Sequence, residues 1–249
     1  MTLFALALIP AIALLVYIYN KDTVEKEPTA LLLKCLCLGA LVTVPAAGLE
    51  KLLDYLLIDC RNIPKGSVKY ALITGFVVAG GIEEACKFLV LRKLTWKNRN
   101  FDYFFDGIVY AVFVSLGFAA LENILYVANG GISVAISRMY TAVPGHCCFG
   151  VCMGYYYSLA KKSSIEWNLN NYRSFIRKAL FIPMIIHGIY DALIMTTPEI
   201  VGNDFASTFK YAWTIFICLL FRKTFGLVNS ASRYDQCFYD NKDENPKAH

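Results

Sequence analysis

Apolar runs of about 20 residues follow one another along almost the whole chain. Such a run crosses a bilayer as a helix, since lipid leaves no water to satisfy an open backbone. The runs lie at Leu3 to Tyr19, Ala30 to Leu49 with an extension to Ile58, Val68 to Leu91, Phe104 to Val127, Met139 to Ala160, Ala179 to Thr197 and Phe209 to Phe221. The last is the shortest. Composition agrees: 57% of the 249 residues are hydrophobic and only 17% charged, where a soluble domain carries roughly a quarter. The expected fold class is all-α, a polytopic transmembrane helix bundle of about seven spans.

Residues 1–221 read as one membrane domain and residues 222–249 as a polar, loosely ordered cytoplasmic tail. The first run is followed, not preceded, by its basic residues Lys21 and Lys26, so it reads as a retained span rather than a cleaved signal. Alternate loops carry Arg92, Lys93, Lys97, Arg99, Lys161, Lys162, Arg173, Arg177, Lys178, Arg222 and Lys223, against Arg61, Lys65, Lys69, Arg138 and Lys210 on the other side. That bias puts the N-terminus outside and the tail in the cytoplasm. The net charge of +5 is therefore a topology signal with some attraction to anionic lipid, and no nucleic-acid partner is expected. Seven of the nine cysteines fall in apolar runs and no CxxC pair occurs, so they read as small hydrophobes rather than disulfides or zinc ligands.

Ionisable residues inside a span cost about 2.5 to 3.5 kcal/mol each on insertion scales and mark function by default. Four consecutive runs contain them. GGIEEACKFLVLR places Glu83 beside Glu84 with Lys87 one turn on, either a working carboxylate pair or a self-neutralising Glu–Lys group. The fourth run carries Asp106, readable as a helix-start carboxylate, and then Glu122 with Asn123. PGHCCFGVCMG opens the fifth run with His146, and IPMIIHGIYDALI sets His187 and Asp191 at i and i+4 on one helix face. Only three histidines exist, and two lie in spans. Such a set supplies a general base together with metal ligands or oxyanion donors. Buried Glu, His and Asp also suit a proton relay or transporter, and a bundle of this kind could serve as an inactive scaffold or immunity-type protein.

In these residues the chain resembles the PrsW family of intramembrane proteases, relatives of the CAAX protease and bacteriocin-processing group. The family's Glu pair with a following basic residue matches Glu83, Glu84 and Lys87. Its Gly-Phe to Glu-Asn segment matches Gly117, Phe118, Glu122 and Asn123, its Pro-Gly-His matches Pro144, Gly145 and His146, and its His-Gly-x-x-Asp matches His187, Gly188 and Asp191. The resemblance implies an endopeptidase in a bacterial cell membrane, cutting a single-span membrane protein, with site-1 cleavage of an anti-sigma factor as the family's best-known task. Implied catalytic residues are Glu83, Glu84, His187, Asp191, Glu122 and Asn123. A zinc ion would sit on His146, His187 and Glu84, and a metal-free route would use Glu-activated water. Counting rise along straight helices puts Glu84 and His187 at mid-membrane and Glu122 and His146 roughly 10 Å nearer the outer face. Glu84 with His187 is then the central pair, and Glu122 a supporting residue.

Overall fold

The computed structural model describes residues 2–196 and 202–239. The end of the sixth expected span at Thr197 and tail residues 240–249 lie outside the described residues. Helix α1 spans Thr2–Lys21, α2 Thr29–Leu57, α3 Val68–Ile73, α4 Gly80–Thr95, α5 Asp106–Tyr140, α6 Ala142–Ile165, α7 Leu169–Ile194 and α8 Asn203–Arg233, with a π-helical turn at Thr74–Ala79 joining α3 to α4. Among the described residues the chain is helical apart from loops and one isolated bridge, Tyr103 to Cys237. All nine cysteines are unbonded.

Thr29–Arg61, Asp106–Ile165 and Ser207–Arg233 are each long and apolar enough to cross a membrane, the second containing both α5 and α6. Ala5–Lys21 is apolar but shorter. Helices α4 and α7, expected as parts of spans three and six, are not among them. They carry Glu83, Glu84, Lys87, His187 and Asp191. Among the described residues the fold is thus an all-helical bundle with three stretches long and apolar enough to span a membrane, while a count of seven spans rests on the sequence pattern.

The first half of α5 is apolar on every side and sits at the centre, packed against α1, α2 and α6. Ile108, Val109, Val112, Val114 and Leu116 are fully buried there. Glycine lets the neighbours come close: a Cβ on Gly117 would stand 2.1 Å from the Leu36 carbonyl oxygen, and one on Gly154 2.4 Å from that of Gly107. A second crossing joins the π-helical turn to α7. A Cβ on Gly75 would lie 2.8 Å from the Gly188 carbonyl oxygen, and one on Gly80 3.0 Å from that of Met184. His187, next to Gly188, is thereby set against α4.

Helix α5 does not end near Val127 as the sequence suggests. It continues and breaks at Gly131, whose φ of 71° and ψ of −159° suit glycine and strain other residues. The chain doubles back there. Sixteen residues would separate Glu122 from Arg138 by about 24 Å along a straight helix, yet Arg138 Nη2 lies 2.7 Å from Glu122 Oε2.

At the opposite end of the bundle, α8 runs through Arg222 to Arg233, so this part of the expected loose tail is helical. The following segment is fastened down: the Phe105 N–H donates to Asp235 Oδ1 at 2.7 Å, and the Phe238 N–H to the Asp102 carbonyl at 2.7 Å. Asp106, the first residue of α5, ties down the loop before it, its Oδ2 accepting from the N–H groups of Asp102 at 3.0 Å and Tyr103 at 2.7 Å. The Tyr110 hydroxyl donates to Glu27 Oε2. Burial in this carboxylate-rich corner pushes Glu27 from its ordinary 4.5 up to about 7, with the Tyr110 bond opposing, and pushes Asp22 from 3.8 up to about 6, with Lys26 opposing. A carboxyl with a raised folded value favours folding while protonated, and the contribution is lost as pH rises through that value. Thermal unfolding in detergent should therefore show stability falling between pH 4.5 and 7, by on the order of 1–2 kcal/mol. Glu27→Gln should flatten that slope; an unchanged slope would discount the buried carboxyl.

Candidate active site

Glu83, Glu84 and Lys87 occupy neighbouring turns of α4, and all three are buried. The Lys87 ammonium donates to Glu83 Oε2 at 2.9 Å and Glu84 Oε1 at 2.8 Å, and lies 3.0 Å from His146 Nδ1. An ammonium has three protons and accepts nothing, so His146 Nδ1 receives the third. The His146 proton then sits on Nε2 and is donated to Glu122 Oε2 at 2.9 Å. Arg138 fixes Glu122 from the far side. The Ser115 hydroxyl, donating to the His146 carbonyl at 2.7 Å, ties the start of α6 to α5.

His187 joins from α7. Its Nδ1 lies 3.0 Å from Glu84 Oε1 and its Nε2 3.5 Å from Asp191 Oδ2. Its ring stacks on Phe149 with centroids 4.5 Å apart, and stands nearly perpendicular to the His146 ring at 5.4 Å. Four helices thus supply one connected chain, from Arg138 through Glu122, His146, Lys87 and the two α4 glutamates to His187 and Asp191. The depth difference counted along straight helices is closed by the break at Gly131 and by the length of the Lys87 side chain.

A cavity of about 290 Å³ opens on this chain, lined among others by Glu83, Glu122, His146, His187 and Asp191. Glu84 does not line it. Its Oε1 is spent on Lys87 and His187, and its fully buried Oε2 has no hydrogen-bond partner. Glu83 faces the cavity with one oxygen on Lys87. Asn123, expected beside the chemistry, points elsewhere: its Nδ2 donates to the Ala7 carbonyl at 2.8 Å and its Oδ1 accepts from Arg138 Nε at 2.8 Å. That amide fastens α1 to α5, because the backbone of α1 offers it a buried acceptor. Glu50 of α2 was not singled out in the sequence, and Arg138 was read there only as a loop charge. The spacing of Glu50 and Asp54, one turn apart on one face, was the available signal.

The family described as PrsW family intramembrane metalloprotease matches residues 27–221. This chain belongs to that family. It is 33% identical over 223 residues to Protease PrsW of Clostridioides difficile (strain 630), covering 88% of this chain and 84% of that protein. Protease PrsW of Bacillus subtilis (strain 168) is 33% identical over 189 residues, 74% of this chain and 79% of its own length. No solved structure matches. Family membership and the apolar helices make the chain an integral membrane protein of an intramembrane protease family whose named relatives are bacterial.

The family description carries a metal, and Glu83, Glu84 and His146 each offer a donor atom within 4.8 Å of the others. His187, expected as a ligand, is outside this group, with one ring nitrogen on Glu84 and the other facing Asp191. Two carboxylates and an imidazole are donor types a divalent ion takes. The Lys87 ammonium, however, stands within 3.0 Å of one donor atom on each of the three. The cage as built therefore fits an ammonium, and a metal fits only once that ammonium leaves. Removing the ammonium strands two buried carboxylates side by side, a loss of about 3–5 kcal/mol. Lys87→Met should accordingly lower the thermal midpoint in detergent steeply, and a midpoint within a degree or two of wild type would show that the carboxylates do not depend on it.

Proposed function

We propose that the chain is an intramembrane endopeptidase in which Glu83 activates the attacking water. The observation that carries this reading is the position of Glu83, the α4 glutamate that both lines the cavity and keeps one oxygen on Lys87. A water hydrogen-bonded to the other oxygen gives its proton to Glu83 as its oxygen attacks the substrate carbonyl carbon. The tetrahedral oxyanion faces His187, whose Nδ1 stays on Glu84 while its Nε2–H, at 3.5 Å from Asp191 Oδ2, turns to the oxyanion as the donor. Collapse breaks the C–N bond, and the proton on Glu83 passes to the leaving amine, which restores the carboxylate. Glu84 acts through its neighbours: it holds Lys87 and His187 in place. Glu122 holds His146, which accepts from Lys87 and so keeps the ammonium turned toward the glutamates.

A metal is supported by the family description and by the Glu83, Glu84 and His146 donor group, and zinc is the narrower reading. Glu83, Glu84 and His146 would hold it after Lys87 withdrew, and it would polarise the carbonyl and acidify water. With Lys87 in place we infer a metal-free route. The substrate is a single-span membrane protein in a bacterial cell membrane; site-1 cleavage of an anti-sigma factor is the narrower reading, supported by the family resemblance. The distribution of basic loops supports seven spans, with the N-terminus outside, the tail at 222–249 in the cytoplasm and the protease unit in residues 1–221.

The test uses purified protein and a panel of single-span substrates. Wild type should cleave at least one, with and without a chelator. Glu83→Gln should lower kcat by about 10²–10⁴-fold, the usual worth of a general base, while leaving the fold intact by thermal unfolding. Full activity in Glu83→Gln would remove the base assignment, and activity abolished by chelator and restored by zinc would overturn the metal-free route. A wild type that cleaves nothing but conducts ions in liposomes would favour transport.

A further inference from the structure

Helix α2 outruns its apolar stretch and brings Glu50 and Asp54, one turn apart, to the wall of the same cavity. They share its lining with Glu83, Glu122, His146, His187 and Asp191. Charged groups acting on Glu50 are Glu83 and Glu122 of like sign, with Lys87 and His187 of opposite sign. Neither opposite charge is available: Lys87 is committed to Glu83, Glu84 and His146, and His187 to Glu84 and Asp191. The remaining fixed cation, Arg138, is held by Glu122 and Asn123. Lys51 borders the cavity but its side chain makes no ion pair with either residue among the described residues. Asp54 Oδ1 is buried without a hydrogen-bond partner.

A carboxylate oxygen withdrawn from water without a donor, as Asp54 Oδ1 is, is costly, and with the Glu50 carboxylate one turn away on the same cavity wall it calls for a positive charge from outside. At about 290 Å³ the cavity lies near the lower limit of ligand pockets. It suits side chains of an extended peptide segment rather than a folded partner. A lysine or arginine side chain has the reach to place its apolar stem along the wall and its charge at the carboxylates.

We propose that Glu50 and Asp54 form a specificity subsite that receives a basic side chain of the segment being cut, within a few residues of the scissile bond. The proposal rests on the protease reading above. Glu50 and Asp54 do not touch the reacting atoms; they select and seat the segment that Glu83 then attacks.

The experiment compares single-span substrates identical except for Lys, Ala or Asp at each position flanking the scissile bond. Wild type should prefer Lys over Asp at one position by about tenfold or more in kcat/KM, the scale of one charge-assisted contact. Glu50→Gln and Asp54→Asn, made separately, should each reduce that ratio several-fold, and Glu50→Lys should reverse it in favour of Asp. Ratios are read within each variant, so a variant with less folded protein still reports. A wild type without charge preference at any position, or variants that slow all three substrates equally, would overturn the subsite while leaving the protease reading standing. A wild type that cleaves no substrate would instead bring down that reading, and the subsite with it.

Discussion

One buried ammonium balances the centre of this bundle. Lys87 is fully enclosed, and its three protons are shared among two glutamates and a histidine. Charges taken from water lose several kcal/mol of solvation each, and attraction offsets this only where geometry is close and the remaining valences are filled. Here the three contacts lie between 2.8 and 3.0 Å. The same contacts fix the orientation of His146, and through it the position of Glu122. Geometry at three helices follows from one charge.

That arrangement requires backbones closer than most side chains permit. Gly75, Gly80 and Gly188 bring α7 against the π-helical turn, and π-helical turns of this kind are frequent at functional sites because they shift the register of the residues that follow. Glu83 and Glu84 follow about one helical turn after it. On the other side, the break at Gly131 returns Arg138 to Glu122 and Asn123. Each glycine matters for the room or the backbone conformation it allows. The polar groups matter for what they place in that room.

Much of this could be read from the chain. Apolar runs define the helices because lipid and a buried bundle core make the same demand on a helix, and the polar residues stand out against them. The pairing of His187 with Asp191 follows from helical spacing, and that of Lys87 with Glu83 and Glu84 from the same rule. What spacing along single helices could not supply was direction across helices. Asn123 stands beside Glu122 in sequence, yet its amide faces α1, because adjacent residues on a helix point about 100° apart. Arg138 looked like a loop charge because the return at Gly131 depends on one backbone conformation. Glu50 did not stand out because the groups that share its cavity come from distant segments. The depth mismatch between Glu84 and His146 vanished for a related reason: rise per residue fixes where a Cα lies, and a lysine side chain spans several ångströms beyond it.

The charge distribution around the cavity also constrains the chemistry. Its wall carries Glu50, Asp54, Glu83, Glu122 and Asp191 against Lys51 and Arg138, while the strongest internal cation, Lys87, lies behind that wall. Peptide hydrolysis develops negative charge on the carbonyl oxygen, and at short range in a low dielectric a surplus of carboxylates opposes it. Neutralisation therefore has to come from His187 and Lys87 at the inner end and, at the mouth, from whatever the substrate carries. A basic side chain seated against Glu50 and Asp54 would reduce the surplus at the moment the oxyanion forms. Binding and rate would then draw on the same contact, so a cavity this acidic is better matched to a cationic segment than to a neutral one.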